Sequence, residues 1–388
     1  MEQLPKICIV TNLDFDDSQT LLYANTILTW GYALTVICPG TIPKSISNYE
    51  IDHRRLPLPT HNFGFHSSIL NVFGGLLQRL SNSITALYYL LVTKPDICIC
   101  IQPDVWAISV LSKLFLHNRI VVDLREIYED RSSAFPIILQ PIIRRLLRFI
   151  FRALSKYTDE IIHVSVARKN HYSYLLKPGI VISPFPRLEY YRNRRSTAHN
   201  SSISIVHAGS LRWTYASEQF IESIPMVLKR VPAANFVVIG GITSKLRNEA
   251  LLNALIRVGK LTVIPRISYE EVIEVLLQSD IGISLVLPLD QTHILAMPRK
   301  LFEYLAAGLP VVAANVPTLQ EVVESSECGV LVDPNSPASI ASGILQLALS
   351  NRLRQKFGKN GRRACEAKYN WQNESMKLHN LLMAFASG

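Results

Sequence analysis

The residues best suited to chemistry lie in one run, Ala296–Val312 (AMPRKLFEYLAAGLPVV). Pro298 predicts the start of a short helix, because proline fits the first turn. The free N–H groups and the dipole of that helix end, together with Arg299 and Lys300, form an anion site. Glu303 lies near the same face, where its carboxylate can accept hydrogen bonds from two vicinal hydroxyls. Phosphates beside a ribose would satisfy this set.

The same helix also has a purely structural interpretation. The spacing of Arg299 and Glu303 is that of an ion pair on a helix surface, and Gly308 is an ordinary helix end. Two glycine loops leave the same alternatives open. Gly209–Arg212 (GSLR) and Gly240-Gly241 follow predicted strands, where glycine either lets the backbone approach a ligand or serves a plain turn.

These segments need a scaffold that brings them to one edge. Short apolar runs separated by helical lengths predict a parallel sheet covered by helices, beginning with a β-α-β unit whose helix over 19–30 ends at Gly31. The strands predicted in the first half are Lys6–Val10, Leu34–Cys38, Ile97–Ile101, Ile120–Asp123 and Glu160–Val164.

The same alternation of predicted strands and helices starts again after a segment of different composition. Between Phe185 and Ser202 the chain is rich in Pro, Arg, Asn and Ser, which is typical of an interdomain linker. Because loops collect at the carboxyl ends of parallel strands, we expect two doubly wound α/β domains facing a central cleft that binds the ligand. The strands predicted in the second half are Ser204–His207, Asn235–Ile239, Leu261–Ile264, Ile281–Ser284, Pro310–Ala313 and Gly329–Val332.

The composition agrees with two folded domains and an anionic partner. A length of 388 residues predicts two domains, and 48% hydrophobic with 18% charged residues excludes a disordered chain. Lys and Arg number 40 against 30 Asp and Glu, a net charge of +10 that favours anionic ligands. No run interleaves aromatic with basic residues and no zinc-finger spacing occurs, so we expect no nucleic acid.

The cysteines and the apolar stretches indicate the compartment of the protein and whether it crosses a membrane. The six cysteines sit singly in apolar stretches, apart from Cys98-Ile99-Cys100, without CxxC or Cys/His ligand spacing. They are interpreted as core residues in a reducing cytoplasm, with no disulfide framework and no metal site. The start, MEQLPKICIV, lacks a signal-peptide pattern, and arginines interrupt the two longest apolar stretches, so no span is predicted.

Residues 136–156 (PIILQPIIRRLLRFIFRALSK) predict an amphipathic helix. Such a helix could lie on an anionic bilayer, or it could pack against the core and turn a basic face to solvent. The segment has no acidic residue, and its basic residues are Arg144, Arg145, Arg148, Arg152 and Lys156.

Met297–Val312 resembles the P-x-K-x-x-E-Y-x-A-x-G-x-P-V segment of retaining nucleotide-sugar glycosyltransferases with the GT-B fold, in the family 4 group. The resemblance implies two Rossmann-like domains. Residues 1–186 would bind the acceptor, with the helix over 372–388 returning to them, and residues 187–371 would bind the donor. Similar segments follow in the family's order at Asp17–Cys38, Asp123–Tyr128, Val206–Ile224, Asn235–Gly241, Leu261–Ser284, Cys328–Pro334 and Tyr369–Trp371.

The resemblance implies transfer of a sugar from a UDP- or GDP-linked donor to a glycan, lipid-linked or small-molecule acceptor, with retention and without a metal. Fixed cations and N–H groups would stabilise the leaving diphosphate. Glu303 would bind the ribose, Arg125 and Glu126 would lie near the transferred sugar, and Asp14 would contact the acceptor. The other implied donor-side residues are Gly209, Ser210, Arg212, Gly241, Arg266, Ile267, His293, Leu295, Ala296, Met297, Arg299 and Lys300.

Three departures from the family pattern favour an alternative function. Leu295 stands where many relatives have a sugar-contacting Glu, Ser210 and Tyr215 stand where many have Arg and Lys, and Arg125 replaces a His. The alternative is a catalytically degenerate GT-B scaffold that acts as a binding or partner subunit.

Two further patterns have structural explanations that we favour. Asp14-Phe15-Asp16 is interpreted as a solvated acidic turn, with an acceptor contact from Asp14 or Asp16 as the alternative. His163 and His207 lie on predicted strands and are interpreted as core histidines rather than catalytic ones.

Overall fold

Continuous apolar runs form the central strands of two parallel sheets in the computed structural model of the chain. The structure describes residues 4–13, 18–43, 46–57, 69–130, 137–192, 202–242, 246 and 249–386. The chain divides into two units, one comprising Met1–Pro184 with Ser375–Gly388 and the other Phe185–Glu374. Each unit alternates strands with helices, which confirms the predicted α/β class.

The first unit contains a seven-stranded sheet with the order β3-β2-β1-β4-β5-β6-β7. Its central strands β1 and β4 pair in parallel and are buried along their whole length, so both faces of the sheet need a cover of helices. The strands are β1 (Ile7–Thr11), β2 (Leu34–Cys38), β3 (Asp52–Arg55), β4 (Ile97–Ile101), β5 (Arg119–Leu124), β6 (Glu160–His163) and β7 (Ile180–Val181).

The two edge strands of this sheet are not among the predicted strands. β3 has the sequence DHRR without an apolar residue, and its charged side chains protect an open sheet edge from pairing with another chain. β7 is two residues long, too short to give an apolar run. Both therefore lack the pattern by which the buried strands are recognised.

The helices of the first unit cover both faces of its sheet. The connection from β1 to β2 runs one way along the sheet, whereas those from β3 to β4, β4 to β5 and β5 to β6 run the other way. Because such crossovers are right-handed, α1 covers one face and α2, α3 and α4 share the opposite face. The helices are α1 (Ser18–Thr29), α2 (Ile69–Thr93), α3 (Trp106–Leu116), α4 (Gln140–Ser155) and α5 (Val166–His171).

The second unit contains a six-stranded sheet with the order β10-β9-β8-β11-β12-β13. Its strands are β8 (Ile203–Ala208), β9 (Ala234–Ile239), β10 (Leu261–Ile264), β11 (Ile281–Ser284), β12 (Val311–Ala314) and β13 (Gly329–Val332). The helices are α6 (Ser217–Arg230), α7 (Glu249–Arg257), α8 (Tyr269–Leu277), α9 (Gln291–Ile294), α10 (Arg299–Ala306), α11 (Pro317–Ser326), α12 (Pro337–Ala348), α13 (Asn351–Ala367) and α14 (Trp371–Ala386), whose residues from Ser375 belong to the first unit.

One tyrosine docks α10 onto this sheet. The hydroxyl of Tyr304 accepts a hydrogen bond from the Ala208 amide at 2.7 Å and donates one to the Ile283 carbonyl at 3.2 Å. Gly282 makes room for the ring, since a Cβ there would lie 2.4 Å from its Cγ. The helix is thus fixed against the ends of β8 and β11.

Two further expectations concern the cysteines and membrane-spanning helices. All six cysteines are buried and carry free thiols. In the part of the chain that the structure describes, no helix combines the length and the apolar character needed to cross a bilayer.

Candidate functional site

The sheet of the second unit has a switch point between β8 and β11. These strands are neighbours, yet β8 continues to β9 on one side while β11 continues to β12 on the other. The loops that follow the two strands therefore diverge and leave a crevice at their carboxyl ends, where open α/β sheets bind ligands. The first loop is Gly209–Arg212, and the second leads through α9 to the N-terminus of α10.

The glycines after β8 and β9 hold the floor of this crevice. Gly209 and Gly240 both have φ of +114°, a conformation that side chains disfavour. A Cβ on Gly240 would lie 2.8 Å from the Ser210 amide nitrogen. The amide of Leu211 donates to the Gly241 carbonyl at 2.9 Å, so the two loops are tied together.

Lys300, in the first turn of α10, extends its amine over the Gly209 loop. A Cβ on Gly209 would lie 3.7 Å from Nζ of Lys300. The same nitrogen lies 3.5 Å from Nε2 of His207 and 4.8 Å from the centre of the Tyr215 ring. The structure therefore brings together Gly209 and Lys300, which the sequence placed in separate motifs.

The surroundings of Lys300 favour its uncharged form in the free protein. Burial lowers the pKa of Lys300 to about 7, although the nearby Glu303 carboxylate acts in the opposite direction. Burial, with Lys300 as a second cause, holds the pKa of His207 well below its usual value, so the imidazole is neutral at pH 7. A neutral ring nitrogen facing an amine can accept its proton in a hydrogen bond.

Glu303 and Arg299 form the ion pair that their spacing predicts, but it is not a solvated surface pair. Nη2 of Arg299 lies 3.4 Å from Oε1 of Glu303, and Glu303 is only 8% exposed. The guanidinium also stacks 5.7 Å from the centre of the Tyr269 ring, whose hydroxyl lies 3.1 Å from that of Tyr191. Burial and the Glu303 charge raise the pKa of both tyrosines, which stay protonated as donors.

The segment between β11 and α10 carries a second polar pair. Nδ1 of His293 lies 2.6 Å from Oδ1 of Asp290, which also caps α9 by accepting from the His293 amide at 2.9 Å. Leu295 ends α9, the Ala296 carbonyl accepts from the Thr318 hydroxyl at 2.5 Å, and Met297 packs on the core. These contacts set the path of the chain into α10.

The remaining implied donor-side residues lie at the same sheet edge. The backbone of Arg212 is held by the Ser217 hydroxyl, which accepts from its amide at 2.9 Å and donates to its carbonyl at 2.7 Å. Arg266 is exposed and Ile267 half-buried in the loop after β10, two strands away from β8. They lie at the same edge of the sheet as Lys300 and His207.

In the first unit, Arg125 lies directly after β5 in a buried polar network. Its Nε donates to Oδ2 of Asp123 at 3.0 Å, and Nε2 of Gln19 donates to the same oxygen at 2.9 Å. Nη2 of Arg125 reaches the Thr20 hydroxyl at 3.4 Å. Glu126 is exposed beside it, and Asp14 lies outside the described residues.

Four side chains that support this chemistry were not predicted as functional. Asp123 holds Arg125, His207 contacts Lys300, Tyr269 stacks on Arg299, and Asp290 holds His293. The D-x-R and D-x-x-H spacings could have indicated the two aspartates, but no local pattern reveals His207 or Tyr269. Among the residues that the structure describes, no group of three or more His, Cys, Asp and Glu side chains could hold a metal ion.

Comparison with known proteins agrees with this architecture. Residues 192–364, all within the second unit, match the model of the family described as glycosyl transferases group 1. Over 83 residues the chain is 32% identical to spore coat protein SA of Bacillus subtilis, and over 84 residues 31% identical to an uncharacterised glycosyltransferase of Methanocaldococcus jannaschii. Each match covers 21% of this chain and 22% of the relative, so the chain spans about a fifth of the curated relatives it matches.

Solved structures resemble the whole chain. A glycosyltransferase from Rickettsia africae superposes with a TM-score of 0.73 at 16% identity, covering 98% of both chains. HepE from Anabaena, in complex with UDP-glucose, superposes with a TM-score of 0.72 at 12% identity, covering 98% of this chain and 100% of HepE. The two parallel sheets with interleaved helices are therefore the fold of GT-B glycosyltransferase structures.

Proposed function

We propose that the chain is a glycosyltransferase that moves a sugar from a nucleotide diphosphate sugar to an acceptor. The observation that carries this proposal is the position of the Lys300 amine over the Gly209 loop, one helical turn from the buried Glu303 carboxylate. A cation and first-turn N–H groups suit a diphosphate, and a carboxylate beside them suits the ribose hydroxyls. The family match over the second unit supports this assignment.

The site has to stabilise the diphosphate as it leaves the sugar. When the bond between the sugar and the phosphate breaks, negative charge grows on the phosphate oxygens. Lys300 takes up a proton when the diphosphate binds, and with Arg299 and the N–H groups of α10 it then supplies positive charge to the phosphate oxygens. The proposed reaction therefore needs no metal. Retention of the anomeric configuration is proposed on the family resemblance.

The neighbouring loops are the candidates for binding the donor base and the sugar. We propose that Arg266 and Ile267, after β10, frame the base, and that His293 with Leu295 lies against the sugar. UDP and GDP sugars are the donors of choice, and the UDP-glucose complex of HepE supports UDP. The backbone of Gly209, Ser210 and Gly241, with Arg212, Ala296 and Met297, would line the donor site.

We assign acceptor binding to the first unit. The Asp123 carboxylate holds Arg125 in a fixed orientation, which suits a cation near the transferred sugar. The exposed Glu126 would lie near the same sugar, and Asp14 would contact the acceptor. The acceptor class is a glycan, a lipid-linked molecule or a small molecule. The six buried thiols support a reducing compartment such as the cytoplasm.

The donor site is tested by thermal shift against UDP, GDP, ADP and their glucose conjugates. A ligand at 100 times its Kd stabilises the folded protein by about 2.7 kcal/mol, which raises Tm. We expect one nucleotide to do so and Glu303→Ala to remove the effect. Glu274→Ala is the matched control, because Glu274 is exposed on α8 of the same unit. If E303A keeps the full shift, the ribose assignment is wrong.

The degenerate scaffold is the second candidate, favoured by Leu295 at a position where many members of the resembled family have a sugar-contacting Glu. It predicts neither sugar transfer nor hydrolysis, whether or not a nucleotide raises Tm. Hydrolysis of the donor sugar that is lost in Arg125→Ala would exclude it.

A further inference from the structure

An apolar stripe runs along the outer side of α4. Ile138, in the turn before the helix, is 82% exposed, and Phe149 is 70% exposed. Ile142 and Leu146 are exposed between them, so the spacing of four, four and three residues places all four side chains on one side of the helix. An amphipathic helix of a folded domain normally buries such a stripe, and here it points away from the sheet.

Two acids, the buried Glu129 and the half-buried Asp130, and a backbone carbonyl hold α4 in this orientation. Arg148 lies 3.5 Å from Glu129, which is only 1% exposed, and Arg144 lies 3.6 Å from Asp130. Arg152 donates to the Tyr174 carbonyl. Three of the five basic residues of the predicted basic face therefore contact the protein itself, so this face is not wholly turned to solvent. The apolar side is the one left outward.

The neighbouring helices continue this surface. On α2, Leu80, Ile84, Tyr88 and Val92 are exposed at intervals of four residues. On α3, Leu114 and Phe115 are 69% and 63% exposed. Because α3 packs against both α2 and α4, and all three cover the same side of the sheet, the exposed residues form one surface. We call it the three-helix face, represented by Ile84, Tyr88, Leu114, Phe115, Ile142 and Phe149.

We propose that the three-helix face rests on an anionic membrane surface. Exposed apolar patches of this extent mark interaction sites, and exposed aromatic rings suit the interface between lipid and water. Arg145 and Lys156 are exposed on the outer side of α4 beside the stripe, where they can reach lipid phosphates. This inference does not rest on the proposed glycosyl transfer.

Charge favours a membrane over a second copy of the chain as the occupant. In a two-fold contact the same surface patch meets itself, so the cations of one α4 would lie against those of the other. No acidic residue lies within 137–156 to compensate them. An anionic lipid surface instead offers negative charge to the basic residues beside the stripe and an apolar layer to the exposed apolar side chains.

The test is co-sedimentation of the full chain with vesicles of phosphatidylcholine alone or with about 30 mol% phosphatidylglycerol. We expect binding to the anionic vesicles, lowered about tenfold or more by Ile142→Glu with Phe149→Glu, because two apolar side chains lose their burial in lipid. The matched control is Val258→Glu with Leu349→Glu, equally exposed apolar residues of the second unit. It should bind as the parent does. Arg145→Glu should weaken binding several-fold and reduce its salt dependence.

Three outcomes would overturn the proposal. The first is parental binding by the Ile142→Glu/Phe149→Glu variant with normal circular dichroism. The second is a loss of binding that the control variant shares. The third is a chain that binds neither kind of vesicle but forms a dimer in sedimentation equilibrium, while the Ile142→Glu/Phe149→Glu variant stays monomeric. That result would assign the face to a second copy of the chain. Should the double variant fail to fold, unchanged binding by Arg145→Glu decides against the proposal.

Discussion

The guanidinium Nε of Arg125 lies 3.0 Å from Oδ2 of Asp123, two residues earlier in the chain. Successive side chains of a strand alternate between its faces, so the end of β5 directs both residues to the same side. Asp123 is fully buried, and its carboxylate depends on Arg125 and Gln19 for compensation. Arg125, which the family resemblance implies near the transferred sugar, is thus held in place by Asp123, a residue with no role predicted from the sequence.

Asp123→Asn should destabilise the first unit by about 3 kcal/mol, because it removes the buried carboxylate that the buried Arg125 guanidinium contacts at 3.0 Å. Chemical denaturation followed by tryptophan fluorescence measures the change. Asp52→Asn serves as the control, since Asp52 forms an exposed pair with Arg54 at 2.7 Å and should change stability by less than about 1 kcal/mol. Equal effects of the two substitutions would contradict the structural role of Asp123.

Affinity for a nucleotide sugar should fall as the pH rises above 7. Burial places the pKa of Lys300 at about 7 in the free protein, and a bound diphosphate raises that pKa because it favours the ammonium. Binding therefore takes up a proton. It is strongest below pH 7 and weakens by at most about tenfold per pH unit above it. Calorimetry in two buffers of different ionisation enthalpy measures the uptake.

Lys300→Arg is the matched variant for that experiment, because its guanidinium stays charged throughout the range. Its affinity should not change between pH 6 and 9. A parental protein that binds equally well at pH 6 and pH 8.5, without buffer dependence, would show that Lys300 does not titrate with the ligand.

His207→Phe should weaken donor binding about fivefold while the fold persists. Phenylalanine keeps the stack on the Phe220 ring, whose centre lies 5.8 Å away, but removes the nitrogen 3.5 Å from the Lys300 amine. Loss of a neutral acceptor lowers the pKa of Lys300 further, so the pH at which binding weakens moves down. A pH profile of affinity separates this result from a general loss of stability, which would leave the midpoint in place.

Gly240→Ala should destabilise the second unit by about 3 kcal/mol, whereas Gly241→Ala should cost about 1 kcal/mol. Both glycines have positive φ, +114° and +76°, but only at Gly240 does a Cβ meet backbone, at 2.8 Å from the Ser210 nitrogen. Thermal unfolding of the two variants gives the comparison. Equal losses would mean that backbone strain alone governs this loop.

Buried strands could be predicted from the sequence because apolar runs bounded by polar loops are local signals. The strands Leu34–Cys38, Ile97–Ile101 and Leu261–Ile264 have the predicted bounds. The edge strand Asp52–Arg55 carries no such signal, since its partner residues on β2 supply the pairing.

The candidate site likewise contains features that local sequence predicts and features that depend on distant parts of the chain. The α10 helix with its Arg299, Lys300 and Glu303 side chains could be predicted, since all lie within a few residues, although Pro298 occupies the N-cap rather than the first turn. The contact of Lys300 with His207 joins positions 93 residues apart, and the parallel order of β8 and β11 alone brings them together. The outward apolar stripe of α4 could not be predicted either, because periodicity defines a stripe without saying which side faces the sheet.

The division of the chain has a consequence for its biosynthesis. The first unit comprises residues 1–184 and 375–388, so the second unit is inserted within it. A ribosome therefore completes the second unit before it makes Leu378 and Leu382, both fully buried in the finished protein. Until then Trp30 lacks its ring contact with His379, and Tyr32 lacks its sulfur partner Met383. Although the first unit begins before the second unit in this chain, it is completed after it.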